Sequence, residues 1–295
     1  MVSSFGNSLE TDCRLFRVEI RASIAHCNAL FRAGIVTRPE AERLKNGLWT
    51  ILKRADFDRN YFDNQAAPDV YEFVEARLFQ LVNQSADTLK IGRSRAHRAA
   101  VALRLWLREE IENIIEALEN LVETLQTGSD PRIFVAFADG FRRDGERFGE
   151  NLRRTNQMPC PAFDEEDEAL SEIDFTLVAH ELGFEKVLEN AVDSAADRDF
   201  CVEFAGAAAL TGLHLSNLAN AVLKLPQSNA ANARTLTTVR AKSVKLFGHQ
   251  AALLAVLKGL ASDDMDDLNE ICEIVFDASD TLKTSLSTAV AALKI

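Results

Sequence analysis

The sequence predicts an all-α protein, a bundle of long helices, and three observations carry that reading. Across 295 residues there are only 13 glycines and 6 prolines, so long stretches run without either helix breaker. Apolar residues recur at helical spacing through several of those stretches. No alternating pattern of convincing strand length, and no internal repeat, interrupts them. With 47% hydrophobic and 26% charged residues, the chain has the composition of an ordinary globular protein with ample material for a core. Its length suits one large domain or two ordinary ones.

A first helix is expected from Thr11 to about Ala33, closed by a turn at Gly34. Thr37-Arg38-Pro39-Glu40 starts the second: Thr37 caps, Glu40 reaches back to it, and Pro39 sits in the first turn, where its missing N–H costs little. That helix runs to about Ala55. Residues 56–67 read as a loop, and Pro68-Asp69 opens a helix to about Val82. A long helix follows from Ala96 to Leu125. Ile111, Ile114, Ile115, Leu118, Leu121, Val122 and Leu125 form its apolar stripe, with Glu112, Glu116, Glu119 and Glu123 opposite. Gly128-Ser129-Asp130-Pro131 ends it.

Another helix reaches about Arg154, followed by an irregular Met158-Pro159-Cys160-Pro161 and an acidic helix from Asp164 to Leu182. Asp197-Arg198-Asp199 begins a helix through Leu225. Its run from Phe204 to Leu223 carries no charge and is long enough in principle to span a bilayer. His214, Ser216, Asn217, Asn220 and two glycines within it point instead to the buried centre of a bundle. After the break at Pro226-Gln227-Ser228-Asn229, helices are expected at about 236–259 and 265–293. The expected organisation is an N-terminal helical domain (1–95), a central long-helix domain (96–259) and a C-terminal helical segment (260–295).

A net charge of −12 argues against nucleic acid or an anionic membrane as the main partner. Basic residues do cluster, at Arg93, Arg95 and Arg98 and again at Arg142, Arg143, Arg147, Arg153 and Arg154, without interleaved aromatics for base stacking. Such a patch in an acidic protein either binds a small anion or pairs with the protein's own carboxylates. Five scattered cysteines (Cys13, Cys27, Cys160, Cys201, Cys272) form no CxxC, so neither a disulfide framework nor a zinc site is indicated. No signal peptide is recognised, and a cytoplasmic protein without a metal or other cofactor is expected.

The most unusual segment is Gly92-Arg93-Ser94-Arg95: two arginines and a hydroxyl beside a glycine, just before a helix N-terminus. It suits a carboxylate or phosphate pocket, or it is an exposed basic turn. The wider context is an ordered series. Ser23-Ile24-Ala25-His26 is followed by Gly34-Ile35, Asp69-Val70 and Val74-Glu75-Ala76-Arg77-Leu78. Then come the arginine turn, Leu103 to Arg108, Asn190 to Ser194, Asp197 to Phe200, and His214-Leu215-Ser216.

That collinear series resembles argininosuccinate lyase, of the fumarase/aspartase superfamily, over most of the chain. The resemblance implies an all-helical subunit whose central helices assemble, four subunits together, into a large bundle. It also implies β-elimination of argininosuccinate to arginine and fumarate, with a dicarboxylate-type substrate and active sites shared between three subunits. Residue by residue, it assigns substrate contact to Ser23 and Arg95 and a site-proximal acid to Asp69. Arg93 and Ser94 join them as binding candidates from the same turn.

The chain also departs from the family pattern. Ala96, His97 and Arg98 stand where the family continues with asparagine, aspartate and glutamine, and Gly128 to Phe137 contains no histidine. The family's loop of paired serines, methionine-proline-glutamine-lysine and asparagine-proline has as its nearest counterpart Leu225-Pro226-Gln227-Ser228-Asn229, without the pair or the lysine. Two residues are substitute candidates for acid–base work. His97 is either a near-neutral acid or base beside the arginine turn or an exposed helix-start histidine, and Ser228 serves as base if its loop folds over the site. His26 and His214 read as satisfied core or interface residues. Asp197, Arg198, Asp199 and Glu203 read as a cap with ion pairs. Three functions stay open: a lyase of this type with altered catalytic residues, a non-catalytic relative that oligomerises with itself or with a full-length lyase, and an anion- or amino-acid-binding bundle.

Overall fold

The computed structural model describes residues 7–63, 65–127, 131–161, 172–225, 230–258 and 265–293. They form two compact units, one from residues 1–106, 156–197 and 261–272 and one from 107–155, 198–260 and 273–295. The all-α expectation holds: long helices dominate both. Among the described residues no helix is long and apolar enough to cross a membrane.

In the first unit the chain enters through a short helix α1 (Leu9–Asp12) and a 3-10 turn (Cys13–Leu15), then α2 (Phe16–Arg32). The single helix expected from Thr11 is therefore broken at its start. Ser8 N–H and Leu9 N–H both donate to the Pro68 carbonyl, at 2.8 and 3.2 Å, which ties α1 to the segment just before Val70. Helix α3 (Arg38–Phe57) opens on the expected capping box, with Thr37 N–H donating to Glu40 Oε2 at 2.8 Å. It lies so close to α4 (Val70–Val82) that a Cβ at Gly47 would stand 2.7 Å from Leu78 Cδ1. Phe16, Tyr61, Phe62 and Phe73 fill the space between loop and helices, with centroids 5.1–6.3 Å apart, mostly edge to face.

Helix α5 (Arg95–Gln126) begins in this unit and continues into the second. Two strands that the sequence did not signal, β1 (Gln157–Met158) and β2 (Lys186–Val187), pair in parallel here. At two residues each they are too short for a periodic pattern. Of the acidic helix expected from Asp164 to Leu182, residues 164–171 lie outside the described residues. The described part is α7 (Phe175–Glu181), started by Asp174, whose carboxylate accepts from Leu177 N–H at 3.2 Å. A further short helix, α8 (Ala191–Ala196), precedes the second unit.

In the second unit α6 (Pro131–Thr155), α9 (Asp199–Val222), α10 (Ala230–Leu257) and α11 (Met265–Leu293) join the rest of α5. Helix α10 starts six residues earlier than the sequence suggested. Helix α9, uncharged from Phe204 onward, lies in the middle, against α6 and α10. Its small residues allow that: a Cβ at Gly212 would meet Leu246 Cδ1 at 2.8 Å and the Ser243 carbonyl at 3.4 Å. His214 Nδ1 lies 2.6 Å from Asp144 Oδ2 on α6, so it is satisfied, as read. At the start of α9 the ion pairs form, Asp197 with Arg104 in the first unit and Glu203 with Arg154 in the second. The position before the helix is held by Arg198, which makes no capping bond.

Candidate active site

The arginine turn owes its shape to Gly92, whose φ of +73° only glycine adopts without strain. It brings Arg93 back against α2 and lets Ser94 start α5. The Ser94 hydroxyl accepts from the His97 N–H at 3.1 Å, so this serine acts as a helix cap.

Ser23 and Arg93, 70 residues apart, meet: Arg93 Nη2 donates to Ser23 Oγ at 3.0 Å. The Ser23 hydroxyl in turn donates to Glu19 Oε1, one helical turn earlier, at 2.9 Å. Glu19 is fully buried and is the hub of the site. It lies 3.6 Å from Arg93 Nη2 and accepts from Arg98 Nη2 at 2.8 Å and Arg98 Nε at 3.1 Å. Arg98 also reaches Glu75 on α4, which pairs with Lys90 at 3.1 Å. Arg93 is thus no exposed basic turn. Its side chain is buried, and burial lowers its pKa to about 10 despite Glu19. For Arg98 the same burial penalty is outweighed by Glu19 and Glu75, and its pKa rises.

Asp69 and Arg95 form the second half. Asp69 is the N-cap of α4, accepting from Tyr71 N–H at 2.9 Å and Glu72 N–H at 2.8 Å. The same carboxylate takes Arg95 through both terminal nitrogens, at 2.8 and 2.5 Å, the two-pronged geometry that suits guanidinium and carboxylate. The Arg95 guanidinium also stacks 3.8 Å from the Tyr71 ring centroid. Beside this pair Asp12 is buried, accepting from Ser8 Oγ at 2.7 Å and Val70 N–H at 3.1 Å, and burial raises its pKa to about 6. An open cavity of about 540 Å³ is lined by Ser8, Asp69, Glu72, Glu75, Lys90, Arg93, Arg95, Arg98 and Asn269.

His97 corrects the reading of an exposed or near-neutral histidine. Its Nε2 lies 3.1 Å from the Pro159 carbonyl, and burial, then Arg93, lower its pKa to about 4. His26 places Nε2 2.8 Å from the Ile91 carbonyl, while its Nδ1 is buried without a protein partner. Ser228 lies outside the described residues. Glu19 and Lys90 have no part in the sequence reading, and Glu75 enters it only within the Val74–Leu78 segment; the signal for Glu19 is its place one turn before Ser23 on the same face. Among the described residues no group of three His, Cys, Asp or Glu side chains is placed to hold a metal.

No family model matches the chain. Individual relatives do. An argininosuccinate lyase of Desulforudis audaxviator is 32% identical, covering 97% of this chain and 71% of its own length. One from Synechococcus sp. is 34% identical, covering 97% and 66%. The first match runs over 332 positions, more than the 295 residues here, so the relative carries internal residues that have no counterpart in this chain.

Among solved structures, a fumarate lyase from Mesorhizobium sp. BNC1 superposes with a TM-score of 0.77 at 13% identity, over 95% of this chain and 72% of its own. A complex of EDDS lyase with formate gives 0.70 at 18%, over 93% and 63%. The chain spans about two thirds of such proteins, and likeness at this identity shows the fold. With ordered sequence motifs, a matching helical fold and relatives 32–34% identical over 97% of its length, the chain belongs to the argininosuccinate lyase family of the fumarase/aspartase superfamily.

Proposed function

We propose that this protein is a weakened argininosuccinate lyase, acting in the cytoplasm as an oligomer on a dicarboxylate-type substrate with only residual β-elimination to arginine and fumarate. One observation carries the reading. Both arginines at the positions assigned to substrate binding are engaged by the chain's own carboxylates, Arg93 by Glu19 and Arg95 by Asp69, and the neighbouring Arg98 is held by Glu19 and Glu75. An incoming carboxylate has to displace Asp69 from Arg95 before it gains a partner. His97, neutral and bonded to a carbonyl, donates no proton at neutral pH.

A lost transition-state donor costs ~10²–10³ in rate and a lost general acid or base ~10²–10⁴, though such losses are not additive. Fumarate release from argininosuccinate, followed by ultraviolet absorbance, is expected at least ~10³-fold slower than for a complete lyase, and lower still in Arg95→Ala. A rate equal to that of a complete lyase sinks the proposal.

A second reading is favoured by a different observation. Leu210 and Leu213 on α9, with Val244, Phe247 and Leu254 on α10, are large apolar side chains left exposed, suited to helix-on-helix assembly. On this reading the chain is a non-catalytic partner in a tetramer of its own copies or with a full-length lyase. Absence of turnover together with co-purification of a complete lyase supports it. Ligand-dependent thermal stabilisation without product would instead support an anion- or amino-acid-binding bundle.

A further inference from the structure

Buried polar atoms without a protein partner include Nδ1 of His26, Nδ1 of His97 and Nε of Arg93. His26 lies on α2, His97 in the first turn of α5 and Arg93 in the turn between, and all three side chains line one small cavity of about 10 Å³. One water needs roughly that much room, ~10–15 Å³. The Phe175 ring closes an apolar side, its centroid 6.1 Å from that of His26 and 6.2 Å from that of His97.

Hydrogen accounting fixes what this cavity takes. Nε2 of His26 lies 2.8 Å from the Ile91 carbonyl and Nε2 of His97 lies 3.1 Å from the Pro159 carbonyl. A carbonyl oxygen only accepts, so each Nε2 bears the ring hydrogen and donates it. Burial, then the Arg93 charge, keep both imidazoles neutral at neutral pH. Each Nδ1 is therefore a lone-pair acceptor in a dry wall, while Arg93 Nε–H is a donor. Buried donors and acceptors of this kind are costly to leave unpaired.

We propose that His26, His97 and Arg93 bind one water molecule in this cavity, a site separate from the substrate-binding residues assigned above except for Arg93. Two acceptors and one donor complement water, which donates twice and accepts from Arg93. An anion would face two lone pairs, a cation would face the guanidinium, and anything larger does not fit. The water joins α2, the arginine turn and the start of α5. Arg93 is then held at both ends, by Ser23 and Glu19 through Nη2 and by the water through Nε. The inference does not rest on the proposed lyase activity.

A crystal structure of the full chain, at a resolution that shows ordered waters, tests it. One spherical peak within hydrogen-bond distance of His26 Nδ1, His97 Nδ1 and Arg93 Nε is expected. An empty cavity, or a peak out of reach of either histidine, overturns the proposal. Imidazole ¹⁵N spectra at neutral pH give a second readout that needs no variant. Both rings are expected as the Nε2–H tautomer with a hydrogen-bonded Nδ1, and an Nδ1–H tautomer at either ring refutes the site.

Discussion

Glu19 shows how much one buried side chain decides in this molecule. It sits fully buried on α2 and faces the guanidinium groups of both Arg93 and Arg98. Removing one partner from a buried ion network leaves charge uncompensated, at ~3–5 kcal/mol. Glu19→Ala is therefore expected to lower unfolding stability by about that much, measured by urea denaturation. A change under about 1 kcal/mol would mean that Glu75 alone compensates both arginines.

His97 sets a pH dependence. Its folded pKa of about 4 lies below the ordinary histidine value of 6.5. The unfolded chain thus takes up the proton first as pH falls. Stability from this residue is complete above pH 6.5 and is lost as pH drops toward 4, a loss of about 3 kcal/mol at one to two kcal/mol per pH unit. His26 acts in the same sense. Asp12 acts oppositely: its folded value of about 6 exceeds the ordinary 3.8, so it loses stability as pH rises through that window. His97→Leu is expected to flatten acid destabilisation between pH 6.5 and 4, and an unaltered acid profile would contradict the assignment.

At the scale of elements, local chemistry made the helices legible. The Thr37–Glu40 box, Asp69 before α4, and the glutamate-and-isoleucine faces of α5 act within a few residues, and these three helices form where their signals stand. What the sequence hid depends on partners far along the chain. Arg98 reads as one of three clustered arginines, yet its partner Glu19 is 79 residues away. His97 reads as an exposed helix start until Pro159, 62 residues on, covers it. The β1–β2 pair and the break before α2 have the same origin, being set by neighbours rather than by their own pattern. Helix spacing supplies a test of its own. Gly212 lets α9 approach α10, and Gly212→Ala is expected to cost ~1–3 kcal/mol through the contact with buried Leu246. A neutral effect on Tm would show that α10 shifts freely.

For the whole molecule, the family resemblance gave the scaffold, and the structure supplied the state of its site. Ser23 with Arg93, and Asp69 with Arg95, are brought together, while Ser228 lies outside the described residues. The substitutions at 96–98 are built into the fold rather than left loose: His97 and Arg98 are both buried and bonded. The central claim is that the protein's own carboxylates engage Arg93 and Arg95, the arginines proposed to receive a substrate carboxylate. Calorimetric titration of fumarate into wild type and Asp69→Asn tests it most directly. Asparagine keeps the cap of α4 but releases Arg95. Because that pair is partly solvent-exposed, tighter binding by roughly 2- to 5-fold is expected. Unchanged or weaker fumarate binding in Asp69→Asn would contradict the account.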